Sequence, residues 1–579
     1  MPYKLIMFLV PYAIVGYDVI IEAAKNLFAG GVLAEHFLMS SATVGAFVLG
    51  EYPEAVAVML FYKIGELFES IAVDKSRRSI AELMDIMPEQ ALVLRDDKEL
   101  IVSPDEVFAG ETIIIKPGER IPLDGIITDG ETSVDNSALT GESIPADLGM
   151  GDAVISGAIN LSGVIRVKTS GVYADSTVSK ILEMIEESTE KKARAENFVS
   201  RFARYYTPIV VAGALLLALI PPLLLNADFA VWLARALVFL VVSCPCALVV
   251  AVPMTFFAGL GTASRSGILI KGSNYLEALS KADTFVFDKT GTLTKGRLKV
   301  TDVFPVGISR EDLLSKLAAA EEYSTHPIAL ALIEAGKTDI KATEIKELAG
   351  KGVEATVLGE EIFVGNEKLM ESLNITVPAR SASGSPIYAA SKKELLGTVY
   401  LKDEIKKEAK AAIAELKNLG IDKTVLLSGD TEQNVRETAE LLSIDEYKAE
   451  LLPNDKTREI ESMIEANRRP AFAGDGINDA PVLARADVGI AMGALGSDAA
   501  IESADVVIMD DKLEKLPQAV RISRRTMGIV RQNIILVIGI KISILALGAL
   551  GIAGMWAAVF GDVGVLVLAI LNASRAMKQ

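Results

Sequence analysis

Seven apolar blocks constrain the fold of this chain more than any other feature of its sequence. Each is close to the ~20 residues that a helix needs to cross a bilayer. The blocks lie at 5–24, 33–50, 53–72, 205–225, 230–253, 533–552 and 554–573. Of the 579 residues, 51% are hydrophobic, and the mean hydropathy is positive. The pattern predicts a multi-pass α-helical membrane protein with two long polar stretches, about 73–200 and 256–530, outside the bilayer.

Lysine and arginine residues indicate which side of the membrane these polar stretches occupy. They cluster after the third block, before the fourth and sixth, and after the seventh, at Lys75, Arg77, Arg78, Lys191, Lys192, Arg194, Arg201, Arg204, Arg521, Arg524, Arg525, Arg531, Arg575 and Lys578. Because basic loops stay on the cytosolic side, we expect both polar stretches and the C-terminus there, in a protein of the cell membrane. The net charge of −18 argues against nucleic acid as a partner, and the oligomeric state is left open.

The heptapeptide Asp288-Lys289-Thr290-Gly291-Thr292-Leu293-Thr294 follows an apolar run, Thr284–Phe287, that is typical of a buried strand. A carboxylate at a strand end, followed by a turn of small residues, can attack a γ-phosphate while backbone N–H groups hold the phosphoryl oxygens. The motif predicts Asp288 as a nucleophile that forms an aspartyl phosphate. A simple Asp-initiated turn would explain the aspartate and the glycine, but not Lys289 together with three threonines.

Two further motifs follow apolar strands and complete a phosphoryl-transfer site. They are Ser428-Gly429-Asp430 and Asp475-Gly476-Ile477-Asn478-Asp479, while Lys456 supplies a cation for the phosphoryl charge. Asp288 and Asp475 at adjacent strand ends, with Thr290, predict a Mg²⁺ site, which Asn478 and Asp479 support from a second layer. Such a site belongs at the carboxyl ends of the strands in a doubly wound sheet.

These motifs resemble those of P-type ATPases, and the resemblance extends from about residue 4 to residue 575. It implies ATP as substrate and a haloacid-dehalogenase-like α/β phosphorylation domain at 256–300 and 401–525. Ser428 departs mildly from the family pattern, which usually has threonine there. Seven membrane spans are predicted here, whereas members of the family generally have eight, so the chain is expected to lack the family's first helix. The remaining membrane parts are 1–72, 201–255 and 526–579.

Two cytosolic regions of the family have counterparts here. The stretch 73–200 is rich in β-branched residues and turns, which predicts a mostly-β actuator domain, and its Thr140-Gly141-Glu142-Ser143 resembles the actuator loop. Glu142 would orient the water that hydrolyses the phosphoenzyme. The stretch 301–400 resembles the α+β nucleotide-binding domain. The resemblance implies that its nucleotide-binding residues are Glu321, His326, Gly350, Gly352 and Asn366.

Both cysteines of the chain lie in Ser243-Cys244-Pro245-Cys246, inside the fifth apolar block. Pro245 disrupts the helix and turns the flanking thiols toward one point, and thiolates select soft or borderline metals. The segment resembles the transport site of heavy-metal, or type IB, P-type ATPases. Two small buried cysteines beside a proline kink are the alternative.

Lys541 and Asp562 lie within the last two blocks, where each charge costs at least ~2.5 kcal/mol unless it is paired or hydrated. Asp562 with the thiolates of Cys244 and Cys246 would give three anionic ligands, and Lys541 would neutralise the empty site. This favours Zn²⁺, Cd²⁺ or Pb²⁺ over Cu⁺, and the pattern resembles the subgroup that exports those three ions. A structural ion pair, or Asp562 in the turn between the helices, is the alternative.

Two glutamates of the third block suggest an ion path. Glu54 and Glu66 are 12 residues apart and fall near one helical face. We expect Glu66, with Met39, on the cytosolic access path and Glu54 on the release path, although interfacial carboxylates that never meet an ion would look the same.

The sequence therefore predicts ATP-driven export of Zn²⁺, and also of Cd²⁺ or Pb²⁺, through an aspartyl phosphate. A Cu⁺ exporter, a membrane-tethered phosphatase of the haloacid-dehalogenase type and a sensor that binds metal without turnover are the alternatives. Many such phosphatases carry an acid at the position of Thr290, so the threonine favours a pump.

Overall fold

The computed structural model describes the chain except residues 1, 29–34, 82–87, 89, 96–97, 137–144, 180–193, 244–245, 325, 337–338, 349, 379–383, 393, 476–478, 494–501 and 578–579. The side chains of residues 2, 26–28, 35, 68–69, 72–81, 194–205, 246 and 559–560 are likewise outside the description. The chain divides into two compact units, residues 1–281 with 518–579, and residues 282–517.

The first unit contains long apolar helices. Among the described residues, its long helices before residue 266 are α1 Pro2–Phe28, α2 Glu35–Leu49, α3 Tyr52–Ala81, α4 Arg194–Leu225, α5 Phe229–Val242 and α6 Cys246–Arg265. The strand β10, Ile268–Ile270, and the helix α7, Ser273–Ser280, follow them. Side chains of α1, α2, α3 and α5 share one apolar cluster, which includes Tyr12, Met39, Met59 and Val241. This packing joins the first three helices to the helix that precedes the cysteines.

The fifth apolar block is not one helix. The block was expected to run from 230 to 253, but α5 ends at Val242, and α6 begins at Cys246 and continues to Arg265. Ser243 closes α5, because its backbone N–H bonds to the carbonyl of Leu240 at 3.2 Å. Pro245 has no N–H to continue the ladder. One helix therefore ends shortly before the Cys-Pro-Cys segment, and Cys246 begins the next helix.

Between α3 and α4 the first unit forms a β domain. Its strands are β1 Ala91–Arg95, β2 Lys98–Val102, β3 Thr112–Ile115, β4 Gly125–Asp129, β5 Thr132–Asp135, β6 Ala146–Leu148, β7 Ala153–Val154, β8 Ile159–Asn160 and β9 Ile165–Thr169. They form one sheet of order β2-β1-β3-β9-β4-β7 and a second of order β6-β5-β8. Fully buried β-branched side chains such as Val93, Ile113, Ile127 and Val167 provide the core, as the composition predicted.

The second unit contains a parallel sheet. Its strands are β11 Thr284–Asp288, β18 Lys423–Leu427, β19 Glu446–Lys448, β20 Pro470–Gly474, β21 Val488–Met492 and β22 Val506–Ile508, in the order β22-β21-β20-β11-β18-β19. Every neighbouring pair is parallel. The connecting helices are α11 Ala409–Asn418, α12 Glu432–Leu442, α13 Pro453–Glu465 and α14 Ala480–Arg485. The central strands are buried on both faces, which explains their continuous apolar sequence.

An antiparallel sheet is inserted after β11. Its strands are β12 Thr294–Pro305, β13 Ala342–Leu348, β14 Gly352–Val357, β15 Glu360–Gly365, β16 Ser385–Ser391 and β17 Leu395–Ile405, in the order β12-β17-β16-β15-β14-β13. The helices α8 Arg310–Ala320, α9 Pro327–Gly336 and α10 Glu367–Ser372 accompany it. Leu317 and Leu332 from two of these helices pack with Val364 and Val399 from the sheet in one core.

Two long helices, α15 Lys515–Ala549 and α16 Met555–Ala573, lie in the C-terminal part of the chain. Within the described residues, five stretches are long and apolar enough to cross a membrane: Tyr3–Lys25, Tyr206–Leu225, Phe229–Arg265, Lys515–Ala549 and Met555–Met577. A shorter apolar helix, His36–Leu49, lies on α2. The sixth block, 533–552, lies largely within α15, which begins earlier, at Lys515, and ends at Ala549. The multi-domain membrane fold is confirmed.

Candidate active site and ion path

Asp288 is the last residue of β11 and lies where two neighbouring strands also end. It stands opposite Leu427 of β18 in the parallel register, while β20 pairs on the other side and ends at Gly474, directly before Asp475. Asp288 is 7% exposed. The strand order thus brings together the motifs that the sequence separates by almost two hundred residues.

Lys456 lies between two carboxylates at this point. Its Nζ is 2.6 Å from Asp288 Oδ1 and 2.8 Å from Asp479 Oδ1, and it is 8% exposed. Burial raises the pKa of Asp288 to about 6, because the nearby Asp479 and Asp475 reinforce the burial and Lys456 only partly opposes it. Burial disfavours the charged form of Lys456, but the two carboxylates outweigh this and raise its pKa.

A second cation, the ammonium group of Lys289, is bound by Asp430, which lies just after the neighbouring strand β18. Lys289 contacts Asp430, whose carboxylate also accepts bonds from Asn434 Nδ2 at 3.1 and 3.3 Å and from Thr431 N at 2.7 Å. Burial opposes ionisation of Asp430, but the contact with Lys289 prevails and lowers its pKa. Ser428 Oγ accepts from the backbone N–H of Asp430 at 3.1 Å. The two lysines thus hold positive charge close to the strand ends.

The turn Lys289–Leu293 is shaped around Gly291. This residue has φ 74°, and a Cβ on it would lie 3.1 Å from Asp475 Oδ2. A side chain here would meet both strain and the carboxylate. Thr290, next to it, is exposed, and Gly429 is exposed at the neighbouring strand end. The turn therefore leaves Asp475 against bare backbone.

Sequence reasoning missed two residues that hold this turn, Asp403 and Lys406. Thr294 Oγ1 accepts from Gly291 N at 3.2 Å and contacts Asp403 Oδ2 at 2.5 Å. Lys406 Nζ is 3.3 Å from the Gly291 carbonyl and 2.6 Å from Asp511 Oδ1. Asp403 and Lys406 come from the end of β17 and the residue after it, with no motif around them. They reach the 289–293 turn because β17 pairs with β12, which begins directly after that turn.

All five residues predicted to bind nucleotide line one pocket of about 280 Å³. They are Glu321, His326, Gly350, Gly352 and Asn366. A separate cavity of about 450 Å³ beside the 289–293 turn is lined by Lys289, Thr290, Asp403 and Asp430, among others.

Gly350 and Gly352 form one edge of this pocket. Asn366 caps α10 by accepting from Leu369 N at 3.2 Å, and its Nδ2 donates to the Gly350 carbonyl at 3.0 Å. Gly352 has φ 145°, and the backbone of β15 occupies the space where a Cβ would lie. Burial raises the pKa of Glu321, and a bond from Ser324 opposes this only in part.

His326 forms the exposed side of the same pocket, directly before α9. Its Nδ1 accepts from the backbone N–H of Ile328 at 3.3 Å. This bond defines the ring's orientation and leaves Nε2 as the nitrogen that carries the proton in the neutral ring. The ring is exposed, so its face is accessible to a planar ligand.

Lys541 and Asp562 form an ion pair between α15 and α16. Lys541 Nζ contacts Asp562 Oδ1 and also lies 3.1 Å from the carbonyl of Val242, the last residue of α5. Asp562 lies inside α16, so the alternative that placed it in the inter-helical turn is wrong. Only the backbone of Cys246 is described, as the start of α6. Within the described chain no three potential ligands cluster around a metal position.

The three path residues lie on α2 and α3. Met39 is 2% exposed, and Glu54 lies in the first turn of α3 with a buried Oε2 that has no hydrogen-bond partner in the described structure. Glu66 is paired with Lys63 at 2.6 Å. Three other predicted site residues, Glu142, Cys244 and Asn478, lie outside the described residues.

Comparisons with known proteins agree with this architecture. Residues 85–186 match the P-type ATPase actuator domain, and residues 282–487 match the haloacid dehalogenase-like hydrolases. A cadmium, zinc and cobalt-transporting ATPase of Bacillus subtilis (strain 168) is 49% identical over 99% of this chain and 83% of its own length. The chain belongs to the P-type ATPases.

Two further relatives specify the branch of this P-type ATPase. A zinc-transporting ATPase of Synechocystis sp. (strain ATCC 27184 / PCC 6803 / Kazusa) is 46% identical over 98% of this chain and 80% of its own length. The crystal structure of a zinc-transporting PIB-type ATPase in its E2·Pi state matches with a TM-score of 0.65 and 36% identity, covering 100% of this chain and 96% of the other. The heavy-metal, type IB membership predicted from the Cys-Pro-Cys segment is confirmed.

Proposed function

We propose that this P-type ATPase exports Zn²⁺ from the cytosol, and also Cd²⁺ or Pb²⁺, in cycles driven by phosphorylation of Asp288. The observation that carries the choice of ion is the Lys541–Asp562 pair, whose lysine also binds the carbonyl of Val242, the last residue of α5. A carboxylate beside two thiols adds negative charge that suits a divalent ion better than Cu⁺. The names of the relatives support this choice.

Phosphorylation would begin with the Asp288 carboxylate. Its oxygen forms a bond to the γ-phosphorus of ATP, the bond to the β–γ bridging oxygen breaks, and ADP leaves with that electron pair. Lys456 and Lys289 would balance the negative charge that develops on the phosphoryl oxygens. Lys456 already contacts the nucleophile at 2.6 Å, which supports this role.

Mg²⁺ fits the oxygen donors at these strand ends. Asp288 and Asp475 supply carboxylates, Thr290 adds oxygen donors, and Asn478 and Asp479 would support the ligands, which is an all-oxygen set of the kind that Mg²⁺ prefers. The ion would neutralise charge on the γ-phosphate. Asp475 lies against Gly291, where no side chain competes for the space.

The 280 Å³ pocket would bind the adenine end of ATP. The ring face of His326 would stack on the base. Asn366 donates to the carbonyl of Gly350, and the absence of a side chain on Gly350 would let the nucleotide approach the backbone closely. Buried Glu321, whose pKa burial raises, lines the same pocket beside the proposed position of the base. Ser428, Gly429 and Asp430 would support the phosphate end through Lys289.

The exported ion would bind the thiolates of Cys244 and Cys246 together with Asp562. Lys541 would neutralise Asp562 when the ion is absent, because the two side chains are already in contact. The ion would arrive from the cytosol past Glu66 and Met39 and leave past Glu54, whose unpaired buried oxygen suits a transient ligand. Both polar stretches would lie in the cytosol.

Hydrolysis would reset the pump. Glu142 would accept a proton from the attacking water, the bond between phosphorus and the Asp288 oxygen would break, and free phosphate would leave. The thiol ligands must lose protons to bind the ion, so the affinity for metal would fall at low pH.

ATP hydrolysis by the purified, reconstituted chain tests the proposal. Zn²⁺, Cd²⁺, Pb²⁺ and Cu⁺ would each be titrated against native protein and Asp562→Ala, with Glu51→Ala, an exposed carboxylate beside α3, as control. We expect stimulation by the divalent ions that disappears in Asp562→Ala and survives in the control. Cu⁺ stimulation indifferent to Asp562→Ala would point to a copper exporter, and hydrolysis independent of any metal would refute transport.

A further inference from the structure

Asn434 is a polar side chain of the second unit that the proposed mechanism does not use. It lies in the first turn of α12, is half-buried and lines the cavity of about 450 Å³ beside the 289–293 turn. Its Oδ1 accepts from the backbone N–H of Gly384 at 3.2 Å. Its Nδ2 donates to Asp430, at 3.1 Å from Oδ1 and 3.3 Å from Oδ2. One side chain therefore joins the start of β16 to a carboxylate beside the phosphorylation turn.

The chemistry of the two partners requires an amide at this position. A backbone N–H can only donate, and an ionised carboxylate can only accept. The partners therefore set which end of the Asn434 amide faces each of them. An aspartate at this position would keep the acceptor and lose the donor, and a leucine would lose both.

The N–H of Gly384 has a fixed direction. Gly384 is buried, has φ 115° and directly precedes β16. A Cβ on it would lie 2.6 Å from the carbonyl oxygen of Leu401 on β17, and the next residue, Ser385, pairs with Leu401 in the sheet. A shift of this end of the inserted sheet would therefore move the donor that Asn434 binds.

Asp430 extends the contact to Lys289, the residue after the proposed nucleophile. The Oδ2 atom of Asp430 binds the ammonium group of Lys289, and Oδ1 accepts from Thr431 N at 2.7 Å. Because the Asn434 amide contacts both carboxylate oxygens, it opposes rotation of the carboxylate and keeps Oδ2 toward the lysine. Hydrogen bonds to a charged group are stronger than those between neutral groups, so this alignment is well defined.

A second contact joins the same sheet to the same helix through other side chains. Lys402 Nζ of β17 is 3.2 Å from Glu437 Oε2 of α12, and both side chains are 38% exposed. Glu437 Oε1 also accepts from Gln433 Nε2 at 3.2 Å. An exposed ion pair of this kind contributes little to stability. It provides a matched control for the Asn434 contact.

We propose that Asn434 is a positioning residue of the phosphorylation step, which aligns Asp430 and through it the ammonium group of Lys289. The bond from Gly384 makes this alignment depend on the position of the inserted sheet. The inference rests on the proposed function, in which Lys289 balances charge on the phosphoryl oxygens.

Rapid-quench phosphorylation of the full chain at saturating ATP and Zn²⁺ tests this role. Asn434→Leu should form phosphoenzyme about tenfold more slowly, the effect of one lost hydrogen bond to a charged group. Asn434→Asp keeps the acceptor for Gly384 and loses the donor to Asp430, so it should be at least as slow. The control Glu437→Gln should change the rate by less than about twofold.

A double variant separates positioning from a general structural role. If Asn434 acts through Lys289, adding Asn434→Leu to Lys289→Met should lower the rate by less than about a further twofold. A loss as large as in the native background would overturn the inference. Phosphorylation of Asn434→Asp at a near-native rate would also overturn it, because the bond to Asp430 would then be dispensable.

Chemical labelling gives a readout that needs no turnover. Acetylation of Lys289 by acetic anhydride, followed by mass spectrometry, should be several times faster in Asn434→Leu than in native protein and unchanged in Glu437→Gln. Equal labelling of the native chain and Asn434→Leu would contradict the inference. A native chain that forms no phosphoenzyme from ATP would instead overturn the proposed function, while the labelling would still decide whether Asn434 positions Lys289.

Discussion

Replacing Lys456 by methionine removes one charge from the most buried part of the candidate active site while keeping the length of the side chain. Lys456 lies 2.6 Å from Asp288 Oδ1 and 2.8 Å from Asp479 Oδ1. Breaking a buried ion pair from one side leaves uncompensated charge and typically costs about 3–5 kcal/mol of stability. The loss of a charged group that stabilises a transition state typically lowers the rate about 100- to 1000-fold.

A second substitution separates these two effects. In Lys456→Met/Asp479→Asn, one of the stranded carboxylates is neutralised, so much of the stability should return. The rate should not return, because the cation beside Asp288 is still missing. Lys456→Arg keeps the charge and should lose less of the rate than Lys456→Met.

Rapid-quench labelling from [γ-³²P]ATP would measure phosphoenzyme formation, and urea denaturation of the same samples would measure stability. A Lys456→Met protein that is phosphorylated at the native rate would refute the role of this lysine. Recovery of the rate in the double variant would show that the single variant failed through misfolding alone.

Two further predictions concern the nucleotide and the nucleophile. His326→Ala should raise the KM for ATP about tenfold with little change in kcat, the loss expected when one base contact of about 1.4 kcal/mol is removed; initial-rate kinetics would check it, and a fall in kcat alone would argue against base binding. Because burial raises the pKa of Asp288 to about 6, its carboxylate is protonated as the pH falls through that value, so kcat/KM for ATP in native protein should drop up to tenfold per pH unit below about 6. A profile that stays flat down to pH 5 would contradict the shifted pKa.

The strand-end motifs could be predicted because each is local. Asp288 and Asp475 directly follow buried apolar strands, and parallel pairing necessarily places such ends at one edge. The motifs alone do not give the register between β11 and β20. They also do not show that Lys456 lies between Asp288 and Asp479. Gly350 and Gly352 were predicted to bind nucleotide only through the resemblance to the family. Their positive φ angles explain why glycine suits both positions.

Contacts between distant segments were not predictable in this way. Asp403 and Lys406 reach the 289–293 turn only because β17 pairs with β12 and returns to it. Nothing local in the sequence connects Lys63 to Asp18, 45 residues earlier, which it contacts in the structure. The extension of α15 back to Lys515, before the sixth apolar block, was not predicted, because this part of the helix carries several charged residues and no long apolar run.

The central claim is that phosphorylation of Asp288 drives Zn²⁺ out of the cytosol. The most direct measurement is ATP-dependent uptake of radioactive zinc into inside-out vesicles that contain the native chain or Asp288→Asn. The account predicts zinc accumulation in native vesicles that requires ATP, releases on addition of an ionophore and is absent in Asp288→Asn. Equal accumulation by the two proteins, or none by the native chain while it hydrolyses ATP, would contradict it.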